Sequence, residues 1–287
     1  MLDQTINILN IRHLHFHQDV KRLKNIGEDD ICFYRFIGGN SSETEDMIRH
    51  LDLLRVKRGL LIGIFRFPFR FEGKKRKEIA IKQYYWMKEM CDSIIFFHGD
   101  GMLEVVDTST YLVDATELFN VFEEKAIHSL KEMICNTGDM NIDAQDVRSF
   151  IQQSKDNPLF LHTVESESFD EPLKNLISAP YLPDNYTDGK QLIINIGYTR
   201  EVNMDAFRNI NLRLHDMFHK SDLVKLGTYF INEPGHRFKI TILVNGISDP
   251  YPKPADFKSV QTSTLRLKRK WELAIKKGKN MKFFSNE

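Results

Sequence analysis

Residues 59–97, GLLIGIFRFPFRFEGKKRKEIAIKQYYWMKEMCDSIIFF, decide how the chain is read. GLLIGIF (59–65) is a short unbroken apolar run, the pattern of a strand buried on both faces, and SIIFF (93–97) is a second. Between them a helix is expected from about Lys74 to Met90. Two buried strands joined by a helix imply a parallel unit, because a parallel connection has to cross the sheet face. The pattern extends in both directions. Upstream, TINILNI (5–11) and DICFYRFIG (30–38) read as strands. A helix from about Glu43 to Arg55 shows Met47, Ile48, Leu51 and Leu54 at three- and four-residue intervals. Downstream, a long amphipathic helix is expected from about Asp114 to Cys135. The alternation predicts an open α/β sheet with helices on its faces.

A second unit opens near Asn141. It reads as a helix to about Gln153, a polar acidic loop ESESFDEP (165–172), the strand QLIINIG (191–197), a helix over 204–219, and the strands LVKLGTYFI and FKITILVNGI. The turn residues of NEPGHR between the last two predict a hairpin, hence an α+β unit with an antiparallel component. The expected boundaries are 1–113 for a shortened α/β domain, 114–140 for a central helix and connector, 141–250 for the α+β domain and 251–287 for a basic tail. That tail carries 10 Lys or Arg against 3 acids.

A chain of 287 residues has room for about two domains, and 41% hydrophobic with 28% charged residues is the make-up of a folded protein. Lys plus Arg and Asp plus Glu both number 40, so net charge gives no reason to expect nucleic acid or an anionic membrane as the main partner. Three widely spaced cysteines, with no CxxC pair, argue against a disulfide framework or a thiolate metal site. The start MLDQTINILNIRH lacks the basic and apolar blocks of a secretory leader. The longest apolar run is far short of the ~20 residues that span a bilayer. A cytoplasmic protein is expected.

Three segments carry residue types with chemical potential. His13, His15 and His17 in HLHFH would share a face of a strand and could face a zinc ion, although half-buried polar residues beside an apolar face give the same pattern, and no metal site is assigned. FIGGNSSETED (36–46) ends a strand in Gly38 and Gly39 and opens a helix, a geometry that aims backbone N–H groups at an anion. Its acids instead suit a capped helix start, with Ser41 or Ser42 as the cap. In Asn141-Ile-Asp143-Ala-Gln-Asp146, two carboxylates three residues apart share one face of a helix start. They could orient a water for attack on a phosphate, or cap the helix.

PFRFEGKKRKEIA (68–80), CDSIIFFHGDGMLEVVD (91–107) and MNIDAQDVRSFI (140–151) resemble, in order and spacing, the FtsZ branch of the tubulin superfamily. LKNLISAPYL (173–182), QLIINIGYTREVNMDAFRNINLRL (191–214) and LVKLGTYFINEPGHRFKITILVNGI (223–247) are similar to that family's second domain. The resemblance covers about residues 30–247. It implies a GTPase-type domain, a long central helix and a C-terminal activation domain, with GTP held between subunits stacked head to tail. By resemblance Asn141, Asp143 and Asp146 form the NxDxxD synergy loop, the part of one subunit that completes the GTP site of the next. Gly38, Gly39, Glu72, Arg76 and Asn120 fall where the family contacts its nucleotide. The departures are as informative. The opening strand is followed by RHLHFHQDVKRLKN with no glycine cluster, and GGNSSET stands where the family has a glycine-rich phosphate loop. The guanine-contacting aromatic and aspartate fall on Thr116 and Asn120.

The phosphate-binding face is thus eroded while the face that acts on a neighbour keeps all three polar positions. The leading expectation is a divergent FtsZ-like cytoskeletal or cell-division protein that binds an FtsZ-type filament, or itself, head to tail, with its own GTPase activity weak or lost. GTP is the cofactor implied, with Mg²⁺ only alongside it. The alternatives are a divergent self-assembling GTPase that still binds and hydrolyses GTP, and an FtsZ-like scaffold whose basic tail tethers it to a membrane or nucleic acid; residues 258–282 are the segment expected to meet a membrane or an acidic partner. No specific nucleic acid is expected, and the place of action is the cytoplasm, at the division site.

Overall fold

The computed structural model describes residues 8–11, 26–56, 59–136, 138–153, 157–167 and 173–260. Among the described residues eight strands, β1 (Ile8–Ile11), β2 (Ile31–Ile37), β3 (Leu60–Arg66), β4 (Ser93–Phe97), β5 (Pro158–Ser166), β6 (Gln191–Tyr198), β7 (Asp222–Phe230) and β8 (Phe238–Asn245), form one sheet in the order β1-β2-β3-β4-β5-β8-β6-β7. The first five are parallel. β4 and β5 share only the pairs Ile94 with Pro158 and Ile95 with Leu159, a narrow seam between the two halves of the sheet. Beyond it β8 runs antiparallel to both β5 and β6, and β7 lies parallel to β6 on the outer edge.

Helices α1 (Thr44–Arg55) and α2 (Lys74–Met90) accompany the parallel half, and α1 buries Met47, Ile48, Leu51 and Leu54. Tyr84 of α2 meets the rings of Phe65, Phe67 and Phe96 at 5.4 to 6.0 Å. β3 admits the helix closely because its centre is Gly63, where a Cβ would fall 2.6 Å from Met87 Cε. Short α3 (Gly99–Glu104) follows β4. The central helix α4 (Leu112–Cys135) has 24 residues and so spans roughly 36 Å. Its first half packs Phe119 against Phe69 and stacks Phe122 on Tyr181. Its second half reaches β5 and β8, where Thr163 Oγ1 donates to Ser129 Oγ and Lys239 pairs with Glu132. Helices α5 (Ala144–Gln153), α6 (Leu173–Ile177) and α7 (Met204–Met217) complete the fold.

The sequence expectations hold for the α/β architecture, for α2 and β4 residue by residue, and for the antiparallel component. Two are corrected. β7 and β8 do not form a hairpin, because β6 lies between them: the α7 crossover lays β7 parallel beside β6, and β8 fills the slot between β5 and β6. Residues 165 and 166 end β5 and are not loop. The first ten residues of the basic segment 251–287 lie folded on α2. Asp249 receives Tyr84 Oη at 2.8 Å and Lys88 Nζ at 2.6 Å, Tyr85 Oη donates to the Tyr251 carbonyl, and Trp86 Nε1 to that of Lys258. The rest of the segment, and His13, His15 and His17, lie outside the described residues.

One stability consequence follows for β5. Desolvation, helped by Lys125, lowers the His162 pKa to about 4. The unfolded chain then binds the proton between about pH 6.5 and 4 while the folded chain does not, so stability is full above pH 6.5 and falls toward pH 4. His162→Gln is expected to flatten that limb by on the order of 2 kcal/mol, read from urea unfolding at pH 7 and pH 4.5.

Candidate functional site

The sequence candidates sit at the two ends of α4. At one end β2 runs into Gly38 and Gly39. The Gly38 N–H donates to the Arg66 carbonyl at 2.9 Å, and the Gly39 N–H to Gln83 Oε1 at 2.7 Å. Gln83 is fully buried, and its amide nitrogen returns hydrogen bonds to the Asn40 carbonyl and Thr44 Oγ1. Gly39 has a φ of 110°, open to glycine at little cost. The Arg76 side chain lies over it, so close that a Cβ there would be 2.5 Å from Arg76 Cγ. Arg76 also pairs with Glu72 at 2.8 Å, and Glu72 in turn accepts from the Phe69 N–H. Gly38, Gly39, Glu72 and Arg76 thus come together, but the two glycine amides are spent inside the chain. Asn40, and not Ser41 or Ser42, is the cap: its side chain accepts from the Ser42 N–H at the head of a 3-10 turn over Ser41–Glu43, and α1 follows with Glu43 at its N-cap and no side-chain cap of its own.

Asn120, on α4, is tied to the same region through a cluster that the sequence reading missed. Arg35 of β2 is 3% exposed, and its guanidinium donates to Glu123 Oε2 at 2.8 and 2.5 Å, to Glu124 Oε1 at 2.9 Å and to the Asn120 carbonyl at 3.2 Å. Arg66 of β3 approaches the other Glu123 oxygen at 3.3 Å and lies over the Phe119 ring. Charged side chains therefore fill the contact between the strand ends and the central helix. One arginine inside the apolar run ICFYRFI was the available signal, since a buried cation requires a partner.

The other end of α4 leads into the loop 138–143, roughly 22 Å of helix beyond Asn120. Gly138 fits only as glycine, because a Cβ would overlap the Thr228 carbonyl oxygen. The Thr228 N–H donates to the Met140 carbonyl at 2.8 Å, which pins the loop to β7, and Ile142, 2% exposed, anchors it in the core. Asn141 Oδ1 accepts from the Gly138 N–H at 2.6 Å. Asp143 and Asp146 cap each other: each carboxylate accepts the other residue's N–H, at 2.7 and 2.9 Å. Lys225 of β7, a second residue the sequence reading missed, pairs with Asp146. Partial desolvation raises the Asp146 pKa, but hydrogen bonds from Lys225 and the Asp143 N–H outweigh it and hold the carboxyl below its usual range. Asn141 and Asp143 are exposed and Asp146 is half-buried, so the loop presents carboxylates on the surface while its backbone is fixed. Among the described residues no group of three or more His, Cys, Asp or Glu is arranged to hold a metal, and no helix is long and apolar enough to cross a membrane.

A long central helix joining a parallel half of the sheet to a mixed half is the arrangement of the FtsZ/tubulin fold. The FtsZ dimer of M. jannaschii superposes with a TM-score of 0.62 at 16% identity, over 79% of this chain and 67% of that one. The TubZ GDP-form protofilament subunit of Bacillus thuringiensis serovar israelensis gives 0.59 at 13% identity, over 90% of this chain and 74% of that one. No family model matches the sequence. Curated proteins do: cell division protein FtsZ of Buchnera aphidicola subsp. Baizongia pistaciae is 27% identical over 236 residues, 80% of this chain and 60% of that protein. Its counterpart in Aquifex aeolicus is 22% identical over 196 residues, 68% of this chain and 53% of that protein. The chain is thus similar in sequence to FtsZ proteins and shares the FtsZ/tubulin fold. It spans between 50% and 60% of the length of the curated relatives it matches.

Proposed function

We propose that this chain is a filament modifier: an FtsZ-like subunit that docks through residues 138–146 on the nucleotide-bearing face of an FtsZ-type subunit, while its own nucleotide face is closed. The observation that carries this reading is the fate of the glycine turn. A phosphate cradle needs free, convergent amides. Here the Gly38 and Gly39 amides are donated to Arg66 and Gln83, and Arg76 lies on top of Gly39. Asn120 gives its backbone carbonyl to Arg35, and its side-chain Oδ1 is buried without a hydrogen-bond partner. The residues present therefore do not fit a bound triphosphate, and no catalytic step is routed through one on this chain. Asn141, Asp143 and Asp146 remain on the surface in the order the family uses to complete a neighbour's site. Such a subunit docks on a nucleotide-bearing filament end, contributes carboxylates to it, and offers the next subunit no nucleotide. Its place of action would be the cytoplasm at the division site.

A second reading, a self-assembling GTPase, draws on the convergence of Glu72 and Arg76 on the glycine turn. Calorimetry of the purified chain with GTP and Mg²⁺ separates the two. The modifier reading expects no saturable binding, a Kd weaker than about 1 mM. A micromolar Kd with phosphate release by the chain alone overturns it in favour of the second.

A further inference from the structure

We propose that Lys225 is a positioning residue of the 138–146 loop, holding Asp146 in place and ionised for its action on a neighbouring subunit. This rests on the docking reading above. Strand β7 secures the loop at three successive points. The Thr228 N–H binds the Met140 carbonyl; Gly227, where a Cβ would fall 2.7 Å from Ile142 Cδ1, lets the loop's apolar anchor lie directly on the strand; and Lys225 pairs with Asp146. The strand register shifts between its partners Leu192 and Ile193, so Val224 is an extra, exposed residue and β7 is bulged immediately before Lys225. Bulges at sheet edges commonly serve to place a side chain.

The chemistry gives the lysine a task. Asp143 and Asp146 are close enough to cap each other's amides, so their charges repel, and both repel an approaching phosphate. The ammonium offsets that repulsion and fixes one carboxylate. Lys225 and Asp146 side chains are 34% and 28% exposed, and an ion pair that wet adds little to stability. Its value would lie in geometry and charge. The charged groups facing Asp146 are Lys225 from β7 and Asp143 from its own loop. Without the lysine, partial burial still favours the protonated form and only the hydrogen bonds from Asp143 oppose it, so Asp146 would lose its charge at a higher pH.

The test uses a bacterial FtsZ kept below its own assembly concentration with GTP and Mg²⁺, to which the chain is added, with phosphate release followed from pH 5 to 8. Lys225→Met is expected to lower chain-dependent release about tenfold and to move its acid limb to higher pH. Lys225→Arg restores the limb, and Asp146→Asn removes the chain's effect. A melting temperature for Lys225→Met equal to the parent's, expected for an exposed pair, separates this from misfolding. Loss of the effect in Asp146→Asn with an unchanged rate and limb in Lys225→Met overturns the role of Lys225 and leaves the docking reading standing. No release with the parent chain overturns both.

Discussion

Glu123→Ala is expected to cost about 3–5 kcal/mol of folding free energy. Glu123 is 2% exposed and stands between two buried arginines, Arg35 at 3% and Arg66 at 6%. Removing it leaves the Arg35 guanidinium with Glu124, a side chain 55% exposed and bathed in water, and with the Asn120 carbonyl. A buried cation stripped of its main partner carries its full desolvation penalty. The cluster itself is a different matter, since the attraction inside it is largely offset by the burial of the charges. Arg35→Met combined with Glu123→Leu is therefore expected to recover most of the loss. Urea unfolding of the two variants reads the difference directly, and a Glu123→Ala loss below about 1 kcal/mol would mean that water reaches the cluster.

The parallel half of the sheet was legible because strands buried on both faces read as unbroken apolar runs, as in GLLIGIF and SIIFF. Helix α1 was legible for the opposite reason: one face is apolar, and Met47, Ile48, Leu51 and Leu54 keep its period. β5 was missed because it opens with a proline and carries His162, Thr163 and Glu165, which break the run although the strand lies inside the sheet. α3 and α6, at 6 and 5 residues, are too short to show a period. The hairpin expected of β7 and β8 failed because nearness in sequence and turn residues favour local pairing, whereas β8 is taken by β5 and β6. The loop candidates were readable from a motif that is contiguous in sequence. Gln83 and Lys225 were not, because the groups they bind lie 44 and 79 residues away. The closing of the glycine turn is such a long-range event, so erosion of the motif was visible in the sequence but the occupant of its amides was not.

Removing both loop carboxylates, Asp143→Ala with Asp146→Ala, is expected to abolish the chain's effect on a neighbouring subunit. The two act as one unit, each fixing the other through its backbone amide, so the double variant should lose little more than the worse of the singles. General base and electrostatic roles of this kind are worth about 10²–10⁴-fold in rate. The substitutions also remove a helix cap, a cost of about 1 kcal/mol that leaves the fold intact. The decisive measurement is phosphate release by GTP-loaded FtsZ, held below its assembly concentration, with the parent chain or the double variant added. We expect release to rise with added parent chain, by at least about tenfold, and to stay at the level of FtsZ alone with the double variant. Equal release with the two, or none with either, would contradict a subunit that acts through its loop on its neighbour's nucleotide.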